Sequence, residues 1–146
     1  MCSIRGSFAA ATLSIALAAC ADPPRDPAET TELVRDNGVV RLGVIAGAPG
    51  DERADAAVAS VARALGARVE RREDHTEELL EALELGELDL VYGHFSDASP
   101  WATRVHFGDP PGWGRKAGAT ETAPRFAFRN GENGWIMRLE RAGDAQ

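Results

Sequence analysis

Short apolar segments alternate with amphipathic ones through the middle of this sequence, and that order constrains the fold more than any other feature. Residues 39–45 (VVRLGVI) and 88–93 (LDLVYG) are short and rich in branched apolar side chains, which predicts buried strands. Residues 68–71 (RVER) carry too much charge for the centre of a sheet and predict a short edge strand. Because strands joined through helices by short loops form parallel sheets with right-handed crossovers, we expect the two apolar strands to be parallel neighbours at the centre of one sheet.

Two amphipathic helices connect these strands. The first begins where Asp51 can cap it and ends at Gly66, with apolar residues at helical spacing between them. The second begins at Asp74 or Thr76 and ends at Gly86, and it carries a leucine-rich apolar stripe. Each helix therefore has one face that can cover the sheet.

The regular alternation ends after the second apolar strand. The remaining pattern predicts one helical turn at 99–102, a short strand at 105–107, a loop at 108–123, a strand at 125–129 and a final helix at 132–141. Taken together, the elements predict an α/β fold: a single lobe with a mostly parallel sheet of about five strands and flanking helices.

Charge and cysteine content exclude several functions. A net charge of -7 and an isoelectric point near 5.0 argue against a nucleic-acid partner, because phosphate binding needs a basic face. The two cysteines, Cys2 and Cys20, both lie near the N-terminus, so neither a disulfide framework nor a cysteine-rich zinc site is expected.

The first twenty residues (MCSIRGSFAAATLSIALAAC) have the features of a bacterial export signal. Arg5 supplies the positive start, and the apolar run after it is too short to span a bilayer. The run ends in Leu17-Ala18-Ala19-Cys20, which resembles the lipobox of bacterial lipoproteins. The resemblance implies that Cys20 is lipidated, with acyl chains such as palmitate, and becomes the first residue after cleavage. An ordinary signal peptide that is cleaved after Ala19 is the alternative.

This interpretation divides the chain into three parts. They are a lipoprotein signal peptide at 1–19, the lipidated cysteine with a flexible proline-rich tether at 20–37, and a single folded lobe at 38–142. The expected location is the bacterial cell envelope, where the lipid anchor holds the protein to a membrane facing the periplasm or the exterior.

The order of motifs resembles the first lobe of family 3 extracellular solute-binding proteins. The most specific segment is ELLEALELGELDLVYG, in which a helix ends on glycine and leads into a strand, and RFAFRNGENGWIMRLER is similar to the strand and helix that return to that lobe. The resemblance covers residues 38–141. It implies a binding protein for a small polar solute, working with the permease of an ABC importer.

The sequence departs from that family in three places. Ala46-Gly47-Ala48-Pro49-Gly50 stands where the family commonly has aromatic residues after the first strand. Only residues 108–123 separate the end of the first lobe from its returning strand, which is too short to build a second lobe. Ser99-Pro100-Trp101-Ala102 stands where the family has a Thr-Pro-Glu-Arg-like turn that grips a carboxylate. The alternatives are therefore binding of a second protein chain through the same edge, a structural or regulatory envelope lipoprotein that has lost ligand binding, or an accessory subunit of an enzyme or transporter.

Candidate ligand contacts are expected in the loops that follow the strands, since the carboxyl ends of parallel strands meet at one edge of a sheet. The tryptophans offer stacking surface, His94 and Ser96 offer hydrogen bonds, and Arg104 offers positive charge for an anionic group. The full set is His94, Ser96, Trp101, Arg104 and Trp113. Packing across the end of the sheet is the alternative for Trp101 and Trp113, and Trp135 lies in a helical stripe that predicts a core position.

The sequence offers no arrangement typical of catalysis. His75, His94 and His106 have no ligand spacing that predicts a metal site, and Ser99 lacks the surroundings of a nucleophile elbow. We therefore expect a binding protein without a cofactor or metal, and not an enzyme.

Lipidation of Cys20 can be tested directly. We expect the protein to partition into detergent with an acylated mass, because each buried CH₂ of an acyl chain contributes about 0.8 kcal/mol of membrane affinity. Cys20→Ala should abolish both properties, measured by fractionation and acyl labelling, while Cys2→Ala should change neither. Unchanged partitioning and mass of Cys20→Ala would show that this residue is not an anchor.

Overall fold

The computed structural model describes residues 26–109 and 118–145 of the chain. Helices and strands alternate along it, and a short 3-10 helix, η1, precedes the fourth strand. In chain order the elements are α1 Thr30–Asn37, β1 Val39–Ile45, α2 Glu52–Ala64, β2 Arg68–Asp74, α3 Thr76–Glu84, β3 Leu90–Phe95, η1 Pro100–Thr103, β4 Val105–Phe107, β5 Ala123–Arg129 and α4 Asn133–Asp144. None of the helices within this described part is long and apolar enough to cross a membrane.

The strands form one mixed sheet in the order β2-β1-β3-β5-β4. β1 is parallel to β2 on one side and to β3 on the other, with Leu42 opposite Leu90. This arrangement confirms the predicted five-stranded α/β lobe and the parallel pairing of its two apolar strands. β2 lies at one edge of the sheet, where its charged side chains can remain in water.

β5 runs antiparallel to both of its neighbours and lies between them. It pairs with β3 through Val91↔Ala127 and with β4 through Phe107↔Ala127. β4 therefore points in the same direction as β1, β2 and β3. Since β4 ends and β5 begins at the same edge, the segment 108–122 leaves and rejoins the sheet at the carboxyl ends of the parallel strands.

Two apolar clusters cover the two faces of the sheet. On one face, α2 and α4 pack over β1, β3 and β5, with Trp135 fully buried. The indole N–H of Trp135 donates to the backbone carbonyl of Asp89 at 2.9 Å, so this buried donor is satisfied. The opposite face is covered by α3, whose leucines belong to one apolar cluster with Val91 and Phe107. The predicted core position of Trp135 is confirmed.

The folded lobe begins earlier than the sequence predicted. Residues 26–37, which the sequence predicted to be a flexible tether, form a turn followed by the helix α1. This helix packs against α4. The Glu132 carboxylate accepts from the backbone N–H groups of Ala28 at 2.7 Å and Thr30 at 3.1 Å. In return, Asp26 accepts from the backbone N–H of Trp135 at 3.1 Å. Each helix is thus capped by an acid from outside it, which satisfies donors that helix starts leave free.

This reciprocal capping should contribute measurably to stability. Glu132 is 1% exposed, and Glu132→Ala would leave two backbone N–H groups without their acceptor. We expect a loss of about 1–3 kcal/mol in the free energy of unfolding, measured by urea denaturation followed by circular dichroism. Glu32→Ala, which removes an exposed carboxylate from α1, is the matched control. Equal urea midpoints for the two variants would contradict this role of Glu132.

Candidate functional site

The carboxyl edge of the sheet is acidic. An aspartate stands at the end of, or shortly after, each of the four strands that point in the same direction. These residues are Asp51, Asp74, Asp97 and Asp109. Because the strands share one direction, the fold brings these carboxylates to the same edge, where Asp74 and Asp97 are each ion-paired with an arginine.

Two of these aspartates are used in local structure. Asp51 caps α2 by accepting from the backbone N–H groups of Arg53 and Ala54. Asp74 accepts from the Arg72 side chain at 2.9 Å and from the backbone N–H of His75 at 3.0 Å. The bond from Arg72, followed by that from His75, holds the pKa of the Asp74 carboxyl below its ordinary value. Asp74 is therefore an anion at neutral pH.

Asp97 differs, because it is paired with a buried arginine. Arg125 lies on β5 opposite Gly93, and its side chain is only 3% exposed. Its Nη1 donates to Oδ1 of Asp97, and its Nη2 donates to Oδ2 at 3.4 Å. Asp97 itself is 50% exposed. The pair thus consists of a desolvated cation beneath a carboxylate that faces solvent.

Hydrogen bonds hold the loop that carries Asp97 against the start of the returning chain. The Ser96 hydroxyl donates to the carbonyl of Ala119 at 2.9 Å, and the Ala98 backbone N–H donates to the same carbonyl at 3.0 Å. Ser99 then caps η1 by accepting from the backbone N–H of Trp101. Asp97 therefore lies on a turn that is fixed on both sides.

The predicted site residues do not come together as one group. Ser96 neighbours Asp97, but its hydroxyl is engaged with backbone groups. His94 is exposed on β3, and strand alternation places it on the opposite face from Gly93 and Arg125. Trp113 and the lipidation residue Cys20 lie outside the described residues.

Trp101 and Arg104 form a separate group along α3. The Trp101 indole N–H donates to Glu77 at 2.9 Å, and its ring packs against the apolar cluster under α3. The Arg104 guanidinium lies 4.3 Å from the centre of that ring and is ion-paired with Glu84 at the end of α3. Since Arg104 precedes Val105, it lies at the amino end of β4, away from the carboxyl edge. Solute contact by these residues remains a prediction.

The pair of Arg125 and Asp97 was not predicted from the sequence. Period two in residues 125–129 places Phe126 and Phe128 on one face and Arg125 with Ala127 on the other, which predicts that the arginine faces solvent. In the structure both faces of β5 are buried, so Arg125 is enclosed and needs a partner. That partner, Asp97, is 28 residues away in sequence, so spacing alone could not identify it.

A metal site and a binding site in a groove have little support in the part of the chain that the structure describes. There, no three histidine, cysteine or acidic side chains are grouped to hold a metal ion. Two open grooves run along α4, one of about 490 Å³ beside Asp26 and one of about 460 Å³ beside Phe107. Asp26 is engaged by Trp135 and by the Thr31 hydroxyl. The carboxyl edge is the stronger candidate for a binding site, because buried Arg125 is paired there with the half-exposed carboxylate of Asp97.

Comparison with known proteins gives structural matches only. No protein-family model and no curated protein matches this chain. The arginine-bound form of domain 1 from TmArgBP matches with a TM-score of 0.62 at 17% identity, over 78% of this chain and 98% of that chain. The ancestral cationic amino acid solute-binding protein AncCDT-1 matches with a TM-score of 0.61 at 14% identity, over 80% and 93%. A variant of ArgBP from T. maritima gives 0.61 at 10% identity, over 77% and 91%.

These similarities establish the fold. The chain has the architecture of one lobe of a periplasmic solute-binding protein, with the mixed sheet and flanking helices described above. The expected fold class is confirmed. At these identities the similarity shows the fold and not the ligand.

The environment of Asp51 can be tested through Tyr92, which is the only tyrosine in the chain. The Tyr92 hydroxyl donates to Asp51 at 3.2 Å. Burial raises the pKa of Tyr92 above its ordinary value, and the charge of Asp51 raises it further. Because folding favours the neutral phenol, its stabilising contribution is complete below about pH 10 and is lost as pH rises towards the folded-state pKa.

We therefore expect the phenolate absorbance to appear only as the circular dichroism signal of the fold is lost at high pH. In Asp51→Asn, the pKa of Tyr92 should fall because the neighbouring negative charge is removed. A tyrosine that ionises near pH 10, with the fold intact, would contradict the buried hydrogen bond.

Proposed function

We propose that this chain is a solute-binding lobe. It binds a small cationic solute, an amino acid of the arginine type, at the carboxyl edge of its sheet. The observation that carries the proposal is the Asp97 carboxylate, half exposed to solvent and held in place by buried Arg125. A carboxylate with one side open to water has lone pairs left to accept hydrogen bonds from a cation.

The charge around Asp97 supports a cation over an anion. Asp51 and Asp109 stand at the same edge, where Asp74 is ion-paired with Arg72, and the whole chain has a net charge of -7. Such a field attracts cations and slows the approach of anions, and it weakens as salt rises. Binding should accordingly be strongest at low ionic strength.

The fold also supports this choice. Domain 1 of TmArgBP has an arginine-bound form, and AncCDT-1 is a cationic amino acid solute-binding protein. The ligands of these structural neighbours support a cationic amino acid as the solute to test. An open edge buries less of a solute than the roughly 70–90% typical of deep pockets, so we expect modest affinity.

The cellular role follows from the same proposal. Anchored through Cys20 in the cell envelope, the lobe would present its solute to the permease of an ABC importer or to a second protein chain. The competing role is an envelope lipoprotein that kept the fold and lost ligand binding. Whether a solute binds at all separates these two roles.

Titration calorimetry at low ionic strength tests the binding. We expect wild-type protein to bind L-arginine, and Asp97→Asn to bind at least about tenfold more weakly, since a hydrogen bond to a charged group contributes about 1.5–3 kcal/mol. Asp36→Asn, which neutralises an exposed aspartate on α1, is the matched control and should bind like wild type. Absence of binding to L-arginine, L-lysine and L-ornithine would favour the competing role.

A further inference from the structure

Two arginines on the exposed side of α4 have no counter-ion. Arg138 and Arg141 are about one helical turn apart, so they lie on the same face of the helix. Both are exposed, and neither side chain has a hydrogen-bond or ion-pair partner within residues 26–109 and 118–145. Together with Met137 they line the α1–α4 groove, which is the open groove of about 490 Å³ beside Asp26. An open groove suits contact with a broad surface better than enclosure of a solute.

The acids that line the same groove are already engaged. Asp26 accepts from the Thr31 hydroxyl at 2.8 Å and from the backbone N–H of Trp135 at 3.1 Å. Glu32 is ion-paired with Arg35 on α1. The positive charge of the two arginines on α4 is therefore available to an anion from outside the chain. Because a guanidinium binds phosphate oxygens through two parallel N–H donors, phosphate is the anion that these arginines suit best.

The α1–α4 groove also lies where the chain enters the lobe. The predicted lipidation residue, Cys20, precedes Asp26 by six residues, and six residues span at most roughly 20 Å when fully extended. An acylated Cys20 would hold Asp26 within about that distance of the bilayer, since its acyl chains lie among the lipids. The surface around Asp26 is then the part of the lobe closest to the lipid headgroups.

We propose that the α1–α4 groove docks on the membrane surface, with Arg138 and Arg141 bound to the phosphates of anionic phospholipid headgroups. The proposal rests on the anchored role given above and adds a defined orientation of the lobe. Two arginines attract such a surface only weakly, and the net charge of -7 opposes the attraction. The anchor makes the contact intramolecular, so the headgroups are present at high effective concentration and a weak contact is sufficient.

Fluorescence quenching by headgroups measures this orientation in the lipidated protein. In the anchored protein, cleavage removes Cys2 and acylation occupies Cys20, so Met137→Cys supplies a single thiol for a fluorophore at the groove. Glu81→Cys on α3, which covers the opposite face of the sheet from α4, is the matched label position. In vesicles of phosphatidylcholine and phosphatidylglycerol with nitroxide-labelled headgroups, we expect quenching at residue 137 to exceed quenching at residue 81 by at least about threefold.

The double variant Arg138→Gln with Arg141→Gln tests the contact itself. Because each arginine near an anionic surface should change the docking equilibrium by about fivefold, the double variant should lose most of the excess quenching at residue 137. Arg68→Gln with Arg71→Gln removes the same charge from β2 and should keep the excess. High salt, or vesicles of phosphatidylcholine alone, should reduce the excess as the double variant does.

The outcomes separate docking from anchoring. If the mass of the protein shows an acylated Cys20, equal quenching at the two label positions would overturn the docking and leave the anchor standing. An excess at residue 137 that survives in the Arg138 and Arg141 double variant would also overturn it, because the anchor alone would then explain the proximity. A protein that is not acylated at Cys20 would overturn the anchored role and the docking together, whereas the titration with L-arginine tests solute binding independently of both.

Discussion

The antiparallel insertion of β5 between β3 and β4 is the constraint on which the rest of the structure depends. Ala127 pairs with Val91 on one side and with Phe107 on the other, so one strand joins the parallel part of the sheet to its far edge. Because β5 runs against its neighbours, its first residues lie where the parallel strands end. That direction brings Arg125 to the edge where Asp51, Asp97 and Asp109 lie, and it places α4 so that Trp135 covers the sheet.

Buried charges in this lobe are each held by a distant partner, but they differ in how they meet solvent. Glu132 is fully enclosed and accepts from two backbone N–H groups that precede or begin α1. Asp89 is buried and accepts from the backbone N–H of Arg41 at 2.8 Å as well as from its side chain. These acids cannot be displaced without breaking main-chain hydrogen bonds. Arg125 is different, since its counter-ion is a half-exposed side chain on a loop.

This difference sets the carboxyl edge apart from the rest of the lobe. Charges that are enclosed with main-chain partners stabilise one structure, whereas Arg125 is paired with a carboxylate that remains half exposed to solvent. The short connection 108–122 leaves the edge without a second lobe inserted between β4 and β5. A solute there would depend on ionic contacts more than on enclosure, which accounts for the expected salt dependence.

The sequence by itself determined the order of strands and helices from β1 onward, the edge position of the charged β2 and the burial of Trp135, because periodicity and local capping encode these features directly. The overall fold class followed from that order. Only the tertiary structure decided that residues 26–37 belong to the lobe, since Glu132 and Asp26 act on helices about a hundred residues away along the chain. It also decided that Arg104 lies apart from the carboxyl edge and that Arg125 meets Asp97 there. Strand direction and register create such pairs, and neither is contained in any local pattern of residues.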